Sequence, residues 1–327
     1  MAEEIENIIQ KVNIIADEKY IIGETQFTVQ HTKQNEDRRF LTEQLAEHIY
    51  FGFYINGNTE EFVLRHIEAP PIGERNDFID QAVLSIESNK KIDPYWEIIE
   101  DYGNGTLAVQ KNKNIKTVYP QEYQPAKDYN RYSRSRFVHL NHITYDRSAQ
   151  PIFFNIYSDE YLDGSGYLVR FYFNIEGTRV QPFAEHLTRL FNQYRIPFSL
   201  KCLNHLDLYS QRVDSCVLYL KQSHTKVASE ILKLLYPEIK SLLKKRTPLF
   251  TKRLGPGIAF AEDPGNGISF GAHRCELIAE YIVSTNTSGK SHSRKRLMTF
   301  LESNGLHVDK LYSNSIHNYE YLTHVVD

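Results

Sequence analysis

Between Thr247 and Ile282 the chain places Gly255, Gly257, Gly265, Gly267 and Gly271 together with Pro248, Pro256 and Pro264, out of 16 glycines and 12 prolines in all. Such a density of the most permissive and the most restricted residues means a backbone fixed position by position, not an ordinary connector. Phe250, Leu254, Ile258, Phe260, Ile268 and Phe270 lie in the same stretch and require burial, which argues against disorder. Lys252 and Arg253 stand at one end. At the other, His273 and Arg274 open a predicted helix with Leu277, Ile278, Tyr281 and Ile282 on its apolar face. A helix N-terminus offers free N–H groups and partial positive charge, so flanking cations would make it an anion site. The alternative is a long surface loop whose charges are solvated.

Composition limits what such a site could serve. The 327 residues suffice for one large domain or two ordinary ones, and 41% hydrophobic with 24% charged residues is globular. With 22 Tyr and 18 Phe, much of the core area is aromatic. A net charge of −3 gives no general attraction for nucleic acid or an anionic membrane, and neither is expected as a partner. The basic run Lys290, Arg294, Lys295 and Arg296 reads as a solvated helix face. Cys202, Cys216 and Cys275 are scattered, and His139-x-x-His142 would face opposite ways on a strand, so no metal is expected. Dinucleotide, P-loop and nucleophile-elbow patterns are incomplete, so no cofactor is expected. An acidic N-terminus without an apolar signal core, and no run of membrane-spanning length, point to the cytoplasm.

In chain order, helical periodicity covers 3–15, 42–54 (with Thr42 as cap) and 76–88. Short strands at 96–100, 106–110 and 115–119 form a meander, and 120–130 is the best linker. Strands follow at 137–145, 152–157 and 166–175, then a helix opened by the capping-box pattern Thr178-x-x-Gln181, strands at 197–203 and 214–220, and a helix capped by Ser223. The mixture, without strict βαβ alternation, predicts an α+β fold with a mostly antiparallel sheet and helices packed on it. The expected division is an N-terminal unit of helices and meander over 1–125 and a core over 126–327 carrying the long loop 247–271. Phe171, Phe173, Leu187, Phe191, Leu200 and Leu218 are its expected core. Arg134 and Arg136 would share a strand face. Arg170, in mid-strand, needs a partner, for which a substrate anion is one possibility. The aspartates at 207, 214 and 263 are too isolated in sequence to read as a carboxylate pair.

Three stretches resemble the HopA-type effector family, named for a bacterial type III secreted effector. They are Lys252-Arg253 with the run Ala261-Glu-Asp-Pro-Gly-Asn-Gly-Ile-Ser-Phe-Gly-Ala-His-Arg-Cys275; Val169-Arg-Phe-Tyr-Phe-Asn174; and Pro197-Phe-Ser-Leu-Lys-Cys-Leu-Asn204 followed by Arg212-Val-Asp-Ser-Cys-Val-Leu-Tyr219. The likeness covers about 165–282, with fainter traces at 45–54 and 93–96. Relatives in ribosomal-peptide gene clusters, such as those for lanthipeptides and thioamitides, look like lyase partners of a separate Ser/Thr kinase. The resemblance therefore implies elimination of phosphate from phosphoserine or phosphothreonine in a precursor peptide, leaving dehydroalanine or dehydrobutyrine.

That chemistry needs a base for the Cα proton, cations around the departing phosphate, and no metal or nucleotide. Lys201 is the candidate base, because an apolar strand and nearby cations lower an amine's pKa. His273 is the candidate acid or phosphate ligand. Arg274, Lys252, Arg253, Arg170 and Arg212 are candidate phosphate ligands. The alternative is a non-catalytic effector-like module that grips a phosphorylated peptide or protein with the same cations and no base.

Overall fold

The computed structural model describes residues 1–16, 18–29, 37–86, 88, 92–111, 114–126, 136–163, 166–287, 292–314 and 317–325. Arg134, Lys290 and residues 127–130 of the expected linker lie outside them. Helix α1 (Ala2–Lys11) buries Ile5, Ile8 and Ile9. It stops short of the expected 15 because the β-branched run from Val12 forms strand β1 (Val12–Ala16). This strand pairs with β2 (Lys19–Ile22), which pairs with β3 (Thr25–Thr28). Helix α2 (Asp37–Ile49) begins before Thr42, so that residue lies inside the helix and is not its cap. It runs on into a wider π turn, Tyr50–Tyr54. Helix α3 (Ile72–Val83) buries Ile79 and Ala82.

The expected meander gains two strands. β4 (Ile92–Asp101), β5 (Leu107–Lys111), β6 (Asn114–Val118), β7 (Tyr123–Pro125) and β8 (Phe137–Asn141) form an antiparallel sheet in the order β6-β5-β4-β8-β7. Trp96, Val109 and Leu140 belong to its own small hydrophobic cluster. Residues 2–82 instead join the large cluster that runs from Phe153 to Val325. Burial thus groups the N-terminal helices with the large sheet, whereas the sequence reading joined them to the meander.

That large sheet is built from β9 (Tyr145–Gln150), β10 (Phe153–Tyr157), β11 (Leu168–Phe173), β12 (Ser199–Leu203), β13 (Cys216–Lys221), β14 (Lys252–Gly255) and β15 (Ile258–Glu262). Their order is β14-β15-β11-β13-β12-β10-β9, and every pairing is antiparallel. Between and after them lie α4 (Val180–Gln193), α5 (Leu208–Gln211), α6 (Thr225–Ile239), α7 (Phe270–Thr287) and α8 (Arg294–Ser303). The fold is α+β. Neither Thr178 nor Ser223 caps a helix: short 3-10 turns lead into α4 and α6, and no side chain bonds to either helix start.

Half of the expected 247–271 loop is a β-hairpin. All five residues of Ile258–Glu262 are buried, so their backbone groups need ladder partners, and β14 and β11 supply them on either side. The turn between the two strands depends on Gly257, whose φ is +70° and whose added Cβ would lie 2.1 Å from the Lys244 carbonyl oxygen. Just before the hairpin, Phe250 is fully buried with φ 64°, a strained setting for a bulky residue. Its N–H donates to Glu4 Oε2 of α1 at 3.1 Å.

Antiparallel register decides which way each side chain points. Leu200 pairs with Leu218, Leu218 with Phe171, and Phe171 with Phe260, so these four share one face. Helices α4 and α6 cover it, with the Phe173 and Phe183 rings 5.0 Å apart. Phe171, Phe173, Leu187, Phe191, Leu200 and Leu218 are all fully buried, each contributing about 1.5–3 kcal/mol by leaving water. On the other face, the start of α7 and the π turn approach β11, bringing Phe270 and Tyr54 to Tyr172. Among the described residues no helix is long and apolar enough to cross a membrane.

The hairpin turn gives the first prediction. Gly257→Ala must either strain φ or displace the Lys244 carbonyl, and should cost about 2–4 kcal/mol in denaturant unfolding. Gly265→Ala, with φ +78° but open space around the added Cβ, should cost only about 1 kcal/mol. Equal costs would show that the close approach at Gly257 does not matter.

Candidate functional site

The second sheet face carries the candidate site. Lys201 pairs with Val217, Val217 with Tyr172, Tyr172 with Ala259, and Ala259 with Arg253, which sets all five in one cross-strand row. Arg170, two positions before Tyr172, points the same way and pairs with Tyr219. Lys252 pairs with Phe260 and so points to the opposite face. Its ammonium donates to the Tyr319 carbonyl at 2.7 Å and lies over the Tyr312 ring. The period-two alternation of the hairpin therefore separates Lys252 from Lys201. Arg253 shares the Lys201 face, but is exposed on an edge strand.

Lys201 is half-buried, and its Nζ lies 3.9 Å from the centroid of the Phe153 ring, with no hydrogen bond or ion pair to a described residue. Burial pushes its pKa down to about 8; Asp214 works against that shift, while the Arg212 and Arg170 charges add to it. Arg212, just past α5, lies over the same Phe153 ring at 5.4 Å. Its Nε and Nη2 donate to the two Asp214 carboxylate oxygens at 2.9 and 2.8 Å, and Nη2 also donates to the Tyr50 hydroxyl at 2.8 Å. These bonds leave Nη1 without a described partner. Burial opposes the Arg212 charge, but Asp214 and Tyr50 outweigh it and raise the pKa. The peptide N–H of Val213 donates to the Ile55 carbonyl at 2.8 Å, which ties this connector to the end of the π turn.

From Arg212 a line of aromatic rings leads to Arg170. Tyr50 stacks on Tyr54 with centroids 5.2 Å apart, Tyr54 neighbours Tyr172, and the Arg170 charge lies close to Tyr172. Burial raises the pKa of all three phenols, so they stay protonated. Arg170 is ion-paired with Asp263 and lies 5.1 Å from the Tyr219 ring centroid. Tyr54 fits because the first turn of α7 carries Gly271, where a Cβ would meet its ring at 2.3 Å.

Helix α7 begins at Phe270, earlier than expected, and the Ser269 hydroxyl accepts from the Ala272 N–H at 3.2 Å. Arg274 is thus one turn inside and fully buried, 4.8 Å from the Phe270 ring centroid. It donates through Nε to the Leu311 carbonyl at 2.8 Å, through Nη1 to His273 Nδ1 at 2.6 Å and through Nη2 to Asn314 Oδ1 at 3.1 Å. Burial dominates the Arg274 environment and lowers its pKa to about 10, despite Glu262 nearby. The His273 pKa is lowered to about 4, by burial and then by Arg274. With Nδ1 accepting, His273 is neutral near pH 7 and offers Nε2–H as a donor.

Lys201, Arg212 and Arg170 therefore share one neighbourhood, and Arg274 borders it through Tyr54 and Tyr172. His273 is linked to it through Arg274. The sequence reading passed over Asp214 and Asp263, the partners of Arg212 and Arg170: Asp263 is 93 residues from Arg170, which hides the pairing, whereas Asp214 is two residues from Arg212 and the Arg-x-Asp spacing was legible. It also passed over Tyr50, Tyr54 and Tyr172. Their signal was present: Tyr50 and Tyr54 are four apart on a helical stretch, and Tyr172 alternates in phase with Arg170.

Residues 144–312, just over half of the chain, match the model of the HopA1 effector protein family, and the chain belongs to that family. The match extends past both ends of the resemblance at 165–282. Among solved structures, the effector protein from Pseudomonas syringae pv. tomato strain DC3000 is similar at 15% identity, covering 84% of this chain and 94% of that one with a TM-score of 0.47. The effector protein from Pseudomonas syringae pv. syringae strain 61 is similar at 14% identity, covering 83% and 95%, with a TM-score of 0.46. No curated protein matches the chain.

The Lys201 environment has a stability consequence. Its pKa falls from 10.5 unfolded to about 8 folded, so the charged amine opposes folding below pH 8, and that opposition fades as pH rises through 10.5. Lys201→Met should therefore raise the melting temperature at neutral pH, by a margin that shrinks in alkaline buffer. A lower melting temperature at neutral pH, or a margin that grows with pH, would contradict the assignment.

Proposed function

We propose that this HopA1-family protein eliminates phosphate from phosphoserine or phosphothreonine in a peptide, after a separate kinase has phosphorylated it. The observation that carries the reading is the Lys201 amine: half-buried, without a hydrogen-bonding partner among the described residues, and held over the same ring as Arg212. An amine with a pKa near 8 supplies free base near neutral pH. Lys201 takes the Cα proton, the Cα–H electron pair forms the Cα=Cβ double bond, and the Cβ–O bond breaks with its electrons leaving on phosphate. A phosphomonoester carrying one proton departs as hydrogen phosphate, so the atoms and charges balance without an oxidant or cofactor.

Arg212 has the geometry of a phosphate ligand, with Asp214 and Tyr50 fixing one edge of its guanidinium and Nη1 left over. Arg170 adds positive charge at longer range, shared with Asp263. Arg274 acts through position: it anchors the start of α7 against Tyr54 and Tyr172 and holds His273, whose Nε2–H is the remaining donor for a phosphate oxygen. Arg253 and Lys252 have no part in this reading.

Mass spectrometry of a phosphoserine or phosphothreonine peptide incubated with the protein and no added cofactor tests it. The expected product has lost phosphoric acid. Lys201→Ala should slow that loss by roughly 10²–10⁴-fold while phosphopeptide binding persists. Arg212→Lys keeps a charge for Asp214 but loses the fork, and should weaken binding by about 1.5–3 kcal/mol. A peptide recovered with its phosphate intact, bound equally well by wild type and Lys201→Ala, would replace the lyase by a phosphopeptide-binding module.

A further inference from the structure

At the start of β12 the structure holds a cavity of about 450 Å³ between the two larger sheets. Val118 and Leu140 line it from the five-stranded sheet, Tyr157 from the seven-stranded sheet, Phe198 from just before β12, and Tyr161 from the segment that follows β10. Ser199, which also lines it, lies two residues before Lys201 and on the same side of β12. Nothing in the elimination chemistry uses this space. We infer that it receives a large apolar side chain of the peptide substrate, two residues from the phosphorylated one; the inference rests on the proposed site at Lys201.

The strand and an extended peptide have matching side-chain periods. Along β12, Ser199 and Lys201 are spaced by roughly 7 Å. An extended peptide crossing this face presents every second side chain to the sheet at that same spacing. A phosphoresidue over Lys201 therefore sets the residue two positions away at the Ser199 end, where the cavity opens. Its walls suit a Leu or Phe side chain: Val118 and Leu140 are buried there, and two tyrosine rings add area. Asp93, Glu122, Asp146 and Glu160 outnumber Lys116 along the lining and disfavour an acidic side chain.

The test uses the Lys201→Ala protein, which leaves the peptide unreacted, and fluorescence anisotropy. Phosphoserine peptides carry Leu, Phe, Ala or Asp two residues before or two residues after the phosphoserine. At one of the two positions Leu and Phe should bind about tenfold tighter than Ala, and Asp more weakly than Ala. Ser199→Trp in the same background, with an unchanged melting temperature, should abolish the difference between Leu and Ala peptides. Ile143→Trp, at the exposed rim of the cavity, is a second blocking variant should the first fail to fold. Phosphopeptides that bind alike whatever occupies both positions would overturn this inference alone. If phosphorylated and unphosphorylated peptides bind alike, the site at Lys201 fails and the inference fails with it.

Discussion

Both faces of the central sheet strands are covered, and every charge placed on or beside them must be matched without bulk water. That requirement organises the molecule. Arg212 meets Asp214, Arg170 meets Asp263, and the fully buried Glu262 accepts from the Asn314 N–H and pairs with His317. Arg274 distributes its donors over a carbonyl, an amide oxygen and an imidazole. Lys201 stands apart from these groups, with only an aromatic ring against its ammonium among the described residues. A buried charge left unmatched costs stability, and folded proteins retain such groups where the neutral form has work to do.

The register of the sheet turns that local cost into a site. One face is filled by Leu, Phe and Cys side chains under α4 and α6, so polar side chains on β11, β12 and β13 can gather only on the other. There the π turn after α2 brings Tyr50 and Tyr54 onto the sheet, and Gly271 lets α7 close over Tyr54. The C-terminal segment completes the arrangement from outside, because Leu311 and Asn314 supply two of the three acceptors that hold Arg274. Helix, sheet and tail thus meet at the tyrosine line between Arg212 and Arg170.

Strong alternation made β11 readable from sequence, and with it the core positions Phe171 and Phe173 and the mid-strand cation Arg170. Lys201 was legible for the same reason: a lone lysine among apolar strand residues signals desolvation wherever the strand packs. The hairpin of β14 and β15 was not, because glycines and prolines at its turn dominated the local pattern while its pairing partner, β11, lies some 90 residues earlier. Misreading it as a loop also hid the parity that sends Lys252 and Arg253 to opposite faces. Helix starts at Thr42 and Thr178 failed because capping motifs are short, and neighbouring residues supplied a longer α2 and a 3-10 lead-in to α4. A carboxylate partner such as Asp263, 93 residues from Arg170, carries no local signature at all.

Elimination at this site requires one amine, that of Lys201, to be neutral near physiological pH. Selective ¹⁵N labelling of lysine, with Lys201→Arg used to assign its resonance, would follow the Lys201 Nζ through a pH titration of the folded protein. Burial on the sheet face beside Arg212 and Arg170 predicts a midpoint near 8. A midpoint near 10.5, the value of a solvated lysine, would contradict it and remove the base on which the proposed elimination depends.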